Sequence, residues 1–323
     1  MTHSATAVAC SNIALAKYWG KAAGGDNRTA VPSLSLTLAE LRTTTRVRFD
    51  TAFEHDRVLI GDAAQTGRAR DRVVRVLDEL RALAGSALRA EVASNNDFPT
   101  ASGLASSASG FAALALAAQA ALGLSLPAAE ISRLARRASA SAARSVYPGF
   151  VELLAGAECA APVAPAEHWD LRMVIAATTL GPKATSSTDG MLHTQATSPF
   201  YAAWVEHAAS RFEEAKCALL ARDLEALGAA MEQSTLMMHA SMLAARPALV
   251  YLRDATLRAM ERVRELRAHG TLAFYTMDAG PHVKVLTAAA DAPRVASELA
   301  GVPGVERVIV SGPGPGARLI EER

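Results

Sequence analysis

The sequence contains few cysteines, few aromatic residues and no marked excess of charge of either sign. Its three cysteines, Cys10, Cys159 and Cys217, lie far apart in 323 residues, so they form neither a disulfide framework nor a set of metal ligands. Aromatic residues make up 5% of the chain, so the core must consist mostly of Ala, Leu and Val. A net charge of +1 argues against a general binder of nucleic acids or membrane surfaces.

Long apolar segments are absent as well. No charged segment followed by an apolar stretch begins the sequence, so we expect no signal peptide. The apolar run after Phe111 is too short to span a membrane. We therefore expect a cytoplasmic protein with no membrane or nucleic-acid partner. A chain of 323 residues can bury a sizeable core in one large or two medium domains.

The most informative segment that is present is residues 99–110, Pro-Thr-Ala-Ser-Gly-Leu-Ala-Ser-Ser-Ala-Ser-Gly. It lies between a predicted strand at 88–96 and a predicted helix at 111–122. The first N–H groups of a helix lack intrahelical partners and the helix dipole adds positive charge there, so this segment can bind an anion. Gly103 would let the anion approach the backbone closely.

Three hydroxyl groups, those of Ser106, Ser107 and Ser109, follow Gly103. They could cap the helix or contact phosphate oxygens or Mg²⁺, and their clustering after a glycine favours phosphate binding. The segment is not a Walker A loop, because no Gly-Lys-Ser/Thr follows. It also lacks the Gly-x-Gly-x-x-Gly of dinucleotide-binding folds.

Two further clusters combine cations with small polar residues. Lys17-Tyr-Trp-Gly-Lys21 is either a solvated turn or a pair of ammonium groups, one for a phosphate and one beside a carboxylate. Ser139, Ser141 and Arg144 could direct two hydroxyls and a guanidinium at one anion, and the fork of arginine suits a carboxylate. Residues 181–190 are predicted to be a flexible polar loop, either a connector or a cover for a polyanion.

The order of the predicted elements indicates an α+β fold rather than repeated βαβ units. Strands and one helix precede residues 99–110, and three helical patterns occupy much of 199–269. The end of the chain alternates strands with a helix, as in a split βαβ unit. We expect two domains, residues 1–180 and 181–323.

Two acidic or basic side chains in the second half have competing interpretations. Asp278 ends a hydrophobic strand and precedes Ala-Gly-Pro, so it is either a turn residue or a catalytic carboxylate. His239 lies in Met237-Met-His-Ala-Ser-Met242. It has no partner at metal-ligand spacing, which favours a place in the core or on a helix face over a metal site.

Five segments together resemble the diphosphomevalonate decarboxylases of the galactokinase/homoserine/mevalonate/phosphomevalonate (GHMP) kinase superfamily. They occur in the same order as in that family, and the similarity extends over essentially the whole chain. The segments are Lys17-Tyr-Trp-Gly-Lys21, residues 99–110, Ser139-x-Ser141-x-x-Arg144-Ser145, Ser186-Ser-Thr-x-Gly-Met191 and Tyr275-Thr-x-Asp-Ala-Gly-Pro281. The first and last are specific to the decarboxylases, whereas residues 99–110 are shared with the kinases of the superfamily.

The resemblance implies a two-domain GHMP-kinase fold with the site between the domains. The N-terminal domain would resemble ribosomal protein S5 domain 2, and the C-terminal domain would be ferredoxin-like. The implied reaction uses ATP and Mg²⁺ and converts (R)-5-diphosphomevalonate to isopentenyl diphosphate, ADP, phosphate and CO₂, within the mevalonate pathway of isoprenoid biosynthesis. The resemblance also implies a homodimer.

The resemblance also implies roles for individual residues. Asp278 would orient or deprotonate the C3 hydroxyl of the substrate, Lys17 would keep that carboxylate ionised, and Arg144 would hold the substrate carboxylate. The further residues implied to contact the substrate are Tyr18, Lys21, Ser139, Ser141 and Ser187. Those implied to contact ATP are Ser94, Gly103, Ala105, Ser106, Ser107 and Lys183, with Ser106 or Ser107 near Mg²⁺.

The sequence departs from the family pattern at several positions, none of which is Lys17, Arg144 or Asp278. They are Ala138 and Ala140 for the usual glycines, Pro148 for a glycine, Val31-Pro32 where asparagine is frequent, and His282 for asparagine. They leave the phosphorylation state of the substrate open. The alternatives are a decarboxylase of 5-phosphomevalonate, a mevalonate 3-kinase that does not decarboxylate, and a non-catalytic ligand sensor. The presence of all three catalytic candidates disfavours the last two.

Overall fold

The computed structural model describes residues 3–98, 106–178 and 185–321, and their strands form two separate sheets. The strands are β1 His3–Ala16, β2 Ser33–Asp50, β3 Arg57–Ile60, β4 Ala63–Ala64, β5 Arg89–Asn96, β6 Phe150–Leu153, β7 Ala161–Ala164, β8 Leu171–Ala177, β9 Ala273–Thr276, β10 Val283–Ala288, β11 Arg307–Ser311 and β12 Arg318–Ile320. The larger sheet has the order β12-β1-β2-β5-β3-β4, with β6 on β2 and β7 on β6. The smaller sheet has the order β11-β8-β10-β9.

Eight α-helices pack on these sheets in the described part of the chain. They are α1 Gly67–Ala84, α2 Ser106–Ala121, α3 Ala128–Ala138, α4 Ser187–Thr197, α5 Tyr201–Ala221, α6 Leu224–Leu243, α7 Asp254–Ala268 and α8 Ala292–Ala300. Helices and a mainly antiparallel arrangement of strands confirm the predicted α+β class.

Helix α2 shows how a core with few aromatic residues is built. Its sequence is mainly alanine, which has the highest helix propensity. Most of its residues are buried against β1 and β2. Because the side chains are small, the helix can lie close to the sheet.

One hydrophobic cluster contains side chains from both sheets. It contains Ile13 and Leu15 of β1, Phe150 of β6, Met173 of β8 and Phe212 of α5. Since one continuous set of buried side chains draws on both sheets, the two halves of the molecule share a core. The ends of β1 and β9 are therefore held in a fixed relation to each other.

Along the chain, β7 is in the larger sheet and the next strand, β8, is in the smaller sheet. The change therefore lies before residue 180, where the domain boundary is predicted. Strand β8 pairs with β10 and β11, so it belongs to the smaller sheet. At the other end of the chain, β12 pairs with β1 in the larger sheet. Sequence patterns could not reveal either pairing, because both are contacts between segments far apart in the chain.

The prediction of a flexible loop over residues 181–190 is wrong for its second half, where α4 begins at Ser187. The Ser186 hydroxyl accepts a hydrogen bond from the Asp189 N–H at 3.1 Å and so caps the helix. The polar composition was typical of a loop, but Ser186 followed three residues later by an acidic residue is also typical of a helix start. Among the described residues, no helix is long and apolar enough to cross a membrane.

Candidate active site

Asp278 and two lysines meet where strands of the two sheets end. Asp278 follows β9, Lys17 follows β1, and Lys284 lies within β10. The Lys17 ammonium lies 2.7 Å from Asp278 Oδ1 and the Lys284 ammonium lies 2.8 Å from Oδ2. Both lysine side chains are 1% exposed, whereas the Asp278 side chain is 28% exposed. The carboxylate is thus the part of this cluster that is open to a ligand.

The surroundings of these groups shift their pKa values strongly. Burial lowers the pKa of Lys17 to about 8, with Asp278 opposing the shift and the charge of Lys284 adding to it. Burial alone would raise the pKa of Asp278, but attraction from Lys17 and Lys284 outweighs burial and holds that pKa well below its usual range. Asp278 is therefore ionised at any physiological pH.

Arg144 presents a buried guanidinium to the same region. It lies in a short 3₁₀ segment, Ala140–Val146, and donates to Ser33 Oγ at 2.7 Å and to Asn12 Oδ1 at 3.2 Å. Burial lowers the pKa of Arg144 to about 10, with the charge of Asp278 opposing the shift. Within the described ranges no carboxylate lies at ion-pair distance from Arg144, so this buried cation can take a ligand carboxylate as its partner.

A pocket of about 140 Å³ lies between these groups. Its lining includes Lys17, Tyr18, Ser141, Arg144, Ser187 and Asp278. The structure thus brings together in one cavity the three residues predicted to be catalytic and three of those predicted to contact the substrate. They come from the segments that follow β1 and β9, from the 3₁₀ segment Ala140–Val146 and from the start of α4.

The other two residues predicted to contact the substrate lie directly behind this lining. Lys21 donates to Tyr18 Oη at 2.6 Å and also to Asn27 Oδ1. Burial lowers the pKa of Lys21 to about 8, and the charges of Arg72 and Arg136 lower it further. Ser139 and Ser141 share a hydrogen bond of 3.3 Å between their hydroxyl oxygens.

A second pocket of about 160 Å³ lies on the other side of the first turn of α2. Ser94, Ser106 and Ser107 line it together with apolar side chains that include Val58 and Phe111. Ser107 lines both pockets. The second pocket can therefore hold a flat apolar group while the phosphates attached to it point toward Asp278.

The remaining residues predicted to contact ATP divide into two groups. Gly103, Ala105 and Lys183 lie outside the described residues. Ser109, one of the three clustered serines, is fully buried and shares hydrogen bonds of 2.6 Å with Thr43 and 3.2 Å with Ser11. Its hydroxyl ties α2 to the sheet, so only Ser106 and Ser107 of the three can face a phosphate.

Two segments of the chain match domains of one known protein family. Residues 9–164 match the diphosphomevalonate decarboxylase-like N-terminal domain, and residues 173–310 match the mevalonate 5-diphosphate decarboxylase C-terminal domain. The chain belongs to the diphosphomevalonate decarboxylase family. A diphosphomevalonate decarboxylase of Candida albicans is 33% identical to it, with 99% of each chain covered.

Solved structures of diphosphomevalonate decarboxylases have the same fold. The enzyme from Staphylococcus aureus superposes with a TM-score of 0.93 at 35% identity over 99% of both chains. A structure described as MDDEF in complex with MVAPP, AMPPCP and magnesium superposes with a TM-score of 0.92 at 38% identity over 100% of both chains. The predicted family and the predicted two-domain GHMP-kinase fold are confirmed.

Three residues of this site, Lys284, Asn12 and Ser33, were not predicted from the sequence. The sequence around Lys284 could have predicted a buried ion pair. A single charge inside the apolar strand Val283-Lys-Val-Leu-Thr must have a partner when it is buried. Asn12 and Ser33 gave no such signal, since small polar residues are frequent in strands. Their role appears only where Arg144, more than a hundred residues away, donates to both.

His239 of α6 also lies near Lys17 and Asp278. It is 3% exposed and its Nε2 has no hydrogen-bond partner. Burial and the charge of Lys17 lower the pKa of His239 to about 4, so the imidazole is neutral near pH 7. Among the described residues no cluster of three His, Cys, Asp or Glu side chains could hold a metal ion.

Proposed function

We propose that the protein catalyses the ATP-dependent decarboxylation of (R)-5-diphosphomevalonate to isopentenyl diphosphate, ADP, phosphate and CO₂. The observation that carries this proposal is that Lys17, Arg144 and Asp278 line one pocket, which adjoins a second pocket at Ser107. The carboxylate of Asp278, the ammonium of Lys17 and the guanidinium of Arg144 line this pocket, and Arg144 has no carboxylate partner in the described part of the chain. Together these groups fit a substrate that has a tertiary hydroxyl near a carboxylate. The family to which the chain belongs supports the same reaction.

Asp278 acts on the C3 hydroxyl of the substrate. Because its pKa is held well below the usual range, the carboxylate is a weak base and a permanent hydrogen-bond acceptor. It accepts a hydrogen bond from the hydroxyl and aims the oxygen at the γ-phosphate of ATP, so its main contribution is orientation. The hydroxyl proton leaves as the bond between oxygen and phosphorus forms, and it passes to a phosphate oxygen. Lys17, which is bound to the same carboxylate, stabilises negative charge that develops on the transferred phosphoryl group.

Arg144 acts on the carboxylate that leaves. After phosphoryl transfer, the bond from C3 to the phosphate oxygen breaks and inorganic phosphate departs with that electron pair. The electron pair of the bond between C2 and the carboxylate carbon then forms the C2–C3 double bond, and CO₂ is released. Arg144 holds the carboxylate in the orientation that allows this cleavage, and Asn12 and Ser33 fix the guanidinium.

The residues present at the second pocket fit ATP with Mg²⁺. Ser106 begins α2, so the unpaired N–H groups of the first turn face this region. The hydroxyls of Ser106 and Ser107 would complete an oxygen ligand set supplied mainly by phosphates, as Mg²⁺ prefers. Bound Mg²⁺ neutralises charge on the phosphates. Ser94, Gly103, Ala105 and Lys183 remain the further predicted ATP contacts, and AMPPCP and magnesium bind the relative named above.

The diphosphate of the substrate is assigned to the polar residues beside Lys21. Lys21 lacks an acidic partner among the described residues, and it lies close enough to Arg72 and Arg136 for their charges to lower its pKa. Such a surplus of cations suits a polyanion. Tyr18, Ser139, Ser141 and Ser187 supply hydroxyl groups in the same region. We further propose a cytoplasmic location and, from the family resemblance, a homodimer. Size-exclusion chromatography with light scattering tests the dimer.

The decisive experiment compares three substrates. Purified protein is incubated with ATP and Mg²⁺ and with mevalonate, 5-phosphomevalonate or 5-diphosphomevalonate, and the products are identified by mass while CO₂ release is measured. We expect isopentenyl diphosphate and CO₂ from 5-diphosphomevalonate. CO₂ release only from 5-phosphomevalonate would assign the other substrate. A 3-phosphorylated product without CO₂ would show a kinase, and no ATP turnover with any of the three would indicate a ligand sensor.

A further inference from the structure

Asp278 is held by two lysines, although one would neutralise it. Lys17 binds Oδ1 and Lys284 binds Oδ2, at 2.7 and 2.8 Å. Lys284 reaches Asp278 from the neighbouring strand, since Lys284 of β10 is opposite Thr276 of β9 and opposite Ile175 of β8. Its backbone is therefore fixed by pairing on both sides, and its ammonium is placed by the sheet itself.

A lysine at this position is costly for stability alone. Lys284 is 1% exposed, and its neighbours Val283, Val285 and Leu286 are fully buried apolar residues. Burying an ammonium costs several kcal/mol before its ion pair offsets the loss. An apolar side chain would fill the same space in β10 without that cost, so the charge itself requires an explanation.

Lys284 does not belong to the lining of the pocket that contains Asp278. Any effect on the reaction must therefore pass through Asp278 or Lys17. Three cations, Lys17, Lys284 and Arg144, act on the single carboxylate of Asp278. Two further titratable neighbours are Tyr18, whose pKa burial raises, and His239, which faces the same region from α6 and whose imidazole is neutral near pH 7.

We propose that Lys284 is a positioning residue that fixes the rotation of the Asp278 carboxylate and makes it easier for Lys17 to lose its proton. With an ammonium on each oxygen, the carboxylate plane is defined and one lone pair of each oxygen is left for the substrate hydroxyl. The positive charge of Lys284 also lowers the pKa of Lys17, since both ammonium groups approach the same carboxylate. This inference rests on the role proposed above for Asp278.

The test compares Lys284→Met with Lys284→Arg and with the control Lys216→Met. Lys216 of α5 forms an ion pair of 2.6 Å with Glu152 and does not line either pocket. For Lys284→Met we expect kcat to fall about 10- to 100-fold, the range for a misplaced reacting group, with KM changed less than about twofold. Lys284→Arg should recover part of kcat, and Lys216→Met should leave kcat unchanged.

The pH profile of kcat/KM, which reports the free enzyme, separates positioning from a merely structural effect. Lys284 lowers the pKa of Lys17, so its removal raises that pKa. The alkaline limb, on which activity is lost as Lys17 loses its proton, should move to higher pH in Lys284→Met and stay in place in Lys284→Arg. If Lys284→Met does not fold, Lys284→Gln keeps a hydrogen-bond donor without the charge and should show the same movement of the limb.

Two results would overturn the inference: an unchanged kcat in a folded, uncharged variant at position 284, or an alkaline limb that does not move in that variant. A wild-type protein that releases no CO₂ from phosphorylated mevalonates would instead contradict the proposed function. The two failures are thus distinguishable, because the first is seen only with an active wild-type enzyme.

Discussion

Individual side chains in the pocket have pKa values that differ from those of the same residues in water. Burial lowers the pKa of both Lys17 and Lys21 to about 8, and the function proposed here needs each in its charged form, one beside Asp278 and one for a phosphate. The chemistry of the site therefore depends on groups that lose their charge only a little above neutral pH. A surface lysine would keep its charge until much higher pH.

We predict an alkaline limb in the pH profile of kcat/KM, which reports the free enzyme. Lys17 and Lys21 both lose a proton as the pH rises through about 8. The logarithm of kcat/KM should therefore fall with a slope approaching −2 at higher pH, because two protons are lost. Steady-state rates from pH 6 to 10 measure it, and a flat profile over this range would contradict the assigned roles.

We predict that Asp278→Ala lowers kcat by at least about 10²-fold, the loss typical of removing one oriented polar group at a reacting centre. The variant also leaves Lys17 and Lys284 buried without their partner, so stability should fall as well. Asp278→Asn is the matched control for shape, since it keeps the size but loses the charge. Full turnover by a folded Asp278→Ala variant would show that the carboxylate has no part in the reaction.

The first turns of helices α2 and α4 bring the polar residues of the site together. Helix α2 begins at Ser106 beside both pockets, and α4 begins at Ser187, whose side chain lines the pocket with Asp278. The position of Ser187 depends on the cap at Ser186. A change at this cap therefore affects both helix stability and substrate binding.

We predict that Ser186→Ala destabilises the protein by about 1 kcal/mol, the usual cost of losing a serine N-cap. It should also raise KM for the phosphorylated substrate, because the first turn of α4 frays. Ser186→Asn keeps a side-chain acceptor and serves as the control. Chemical denaturation and steady-state kinetics measure the two effects, and equal values for Ser186→Ala and the wild type would show that the cap does not hold this helix.

At the scale of the whole molecule, the two sheets share a hydrophobic core, and the last strand of the chain pairs with the first strand. Strand β12 returns from the end of the chain to the first sheet, and the cluster around Phe150 and Phe212 draws on both sheets. The active-site groups come from both halves, so the pocket exists only when the halves are packed together. Stability and site geometry are therefore linked.

We predict a single cooperative unfolding transition for the whole chain. Phe150 is fully buried in the shared cluster, so Phe150→Ala should cost about 3–5 kcal/mol and move the entire transition. Circular dichroism and tryptophan fluorescence should give coincident curves. Two separated transitions, with only one moved by Phe150→Ala, would show that the halves unfold independently.

The sequence by itself determined the fold class, the family and the identity of most candidate site residues. Hydrophobic periodicity and helix propensity are local properties, and the five ordered motifs were enough to identify the family. Local sequence could not show that β8 pairs with strands more than a hundred residues further along the chain, that β12 returns to β1, or that Lys284 and Lys17 share one carboxylate. Those features depend on contacts between residues more than a hundred positions apart or on neighbouring strands. Only the packed structure decides which buried charge pairs with which, because an ammonium in an apolar strand has no partner until the sheet forms.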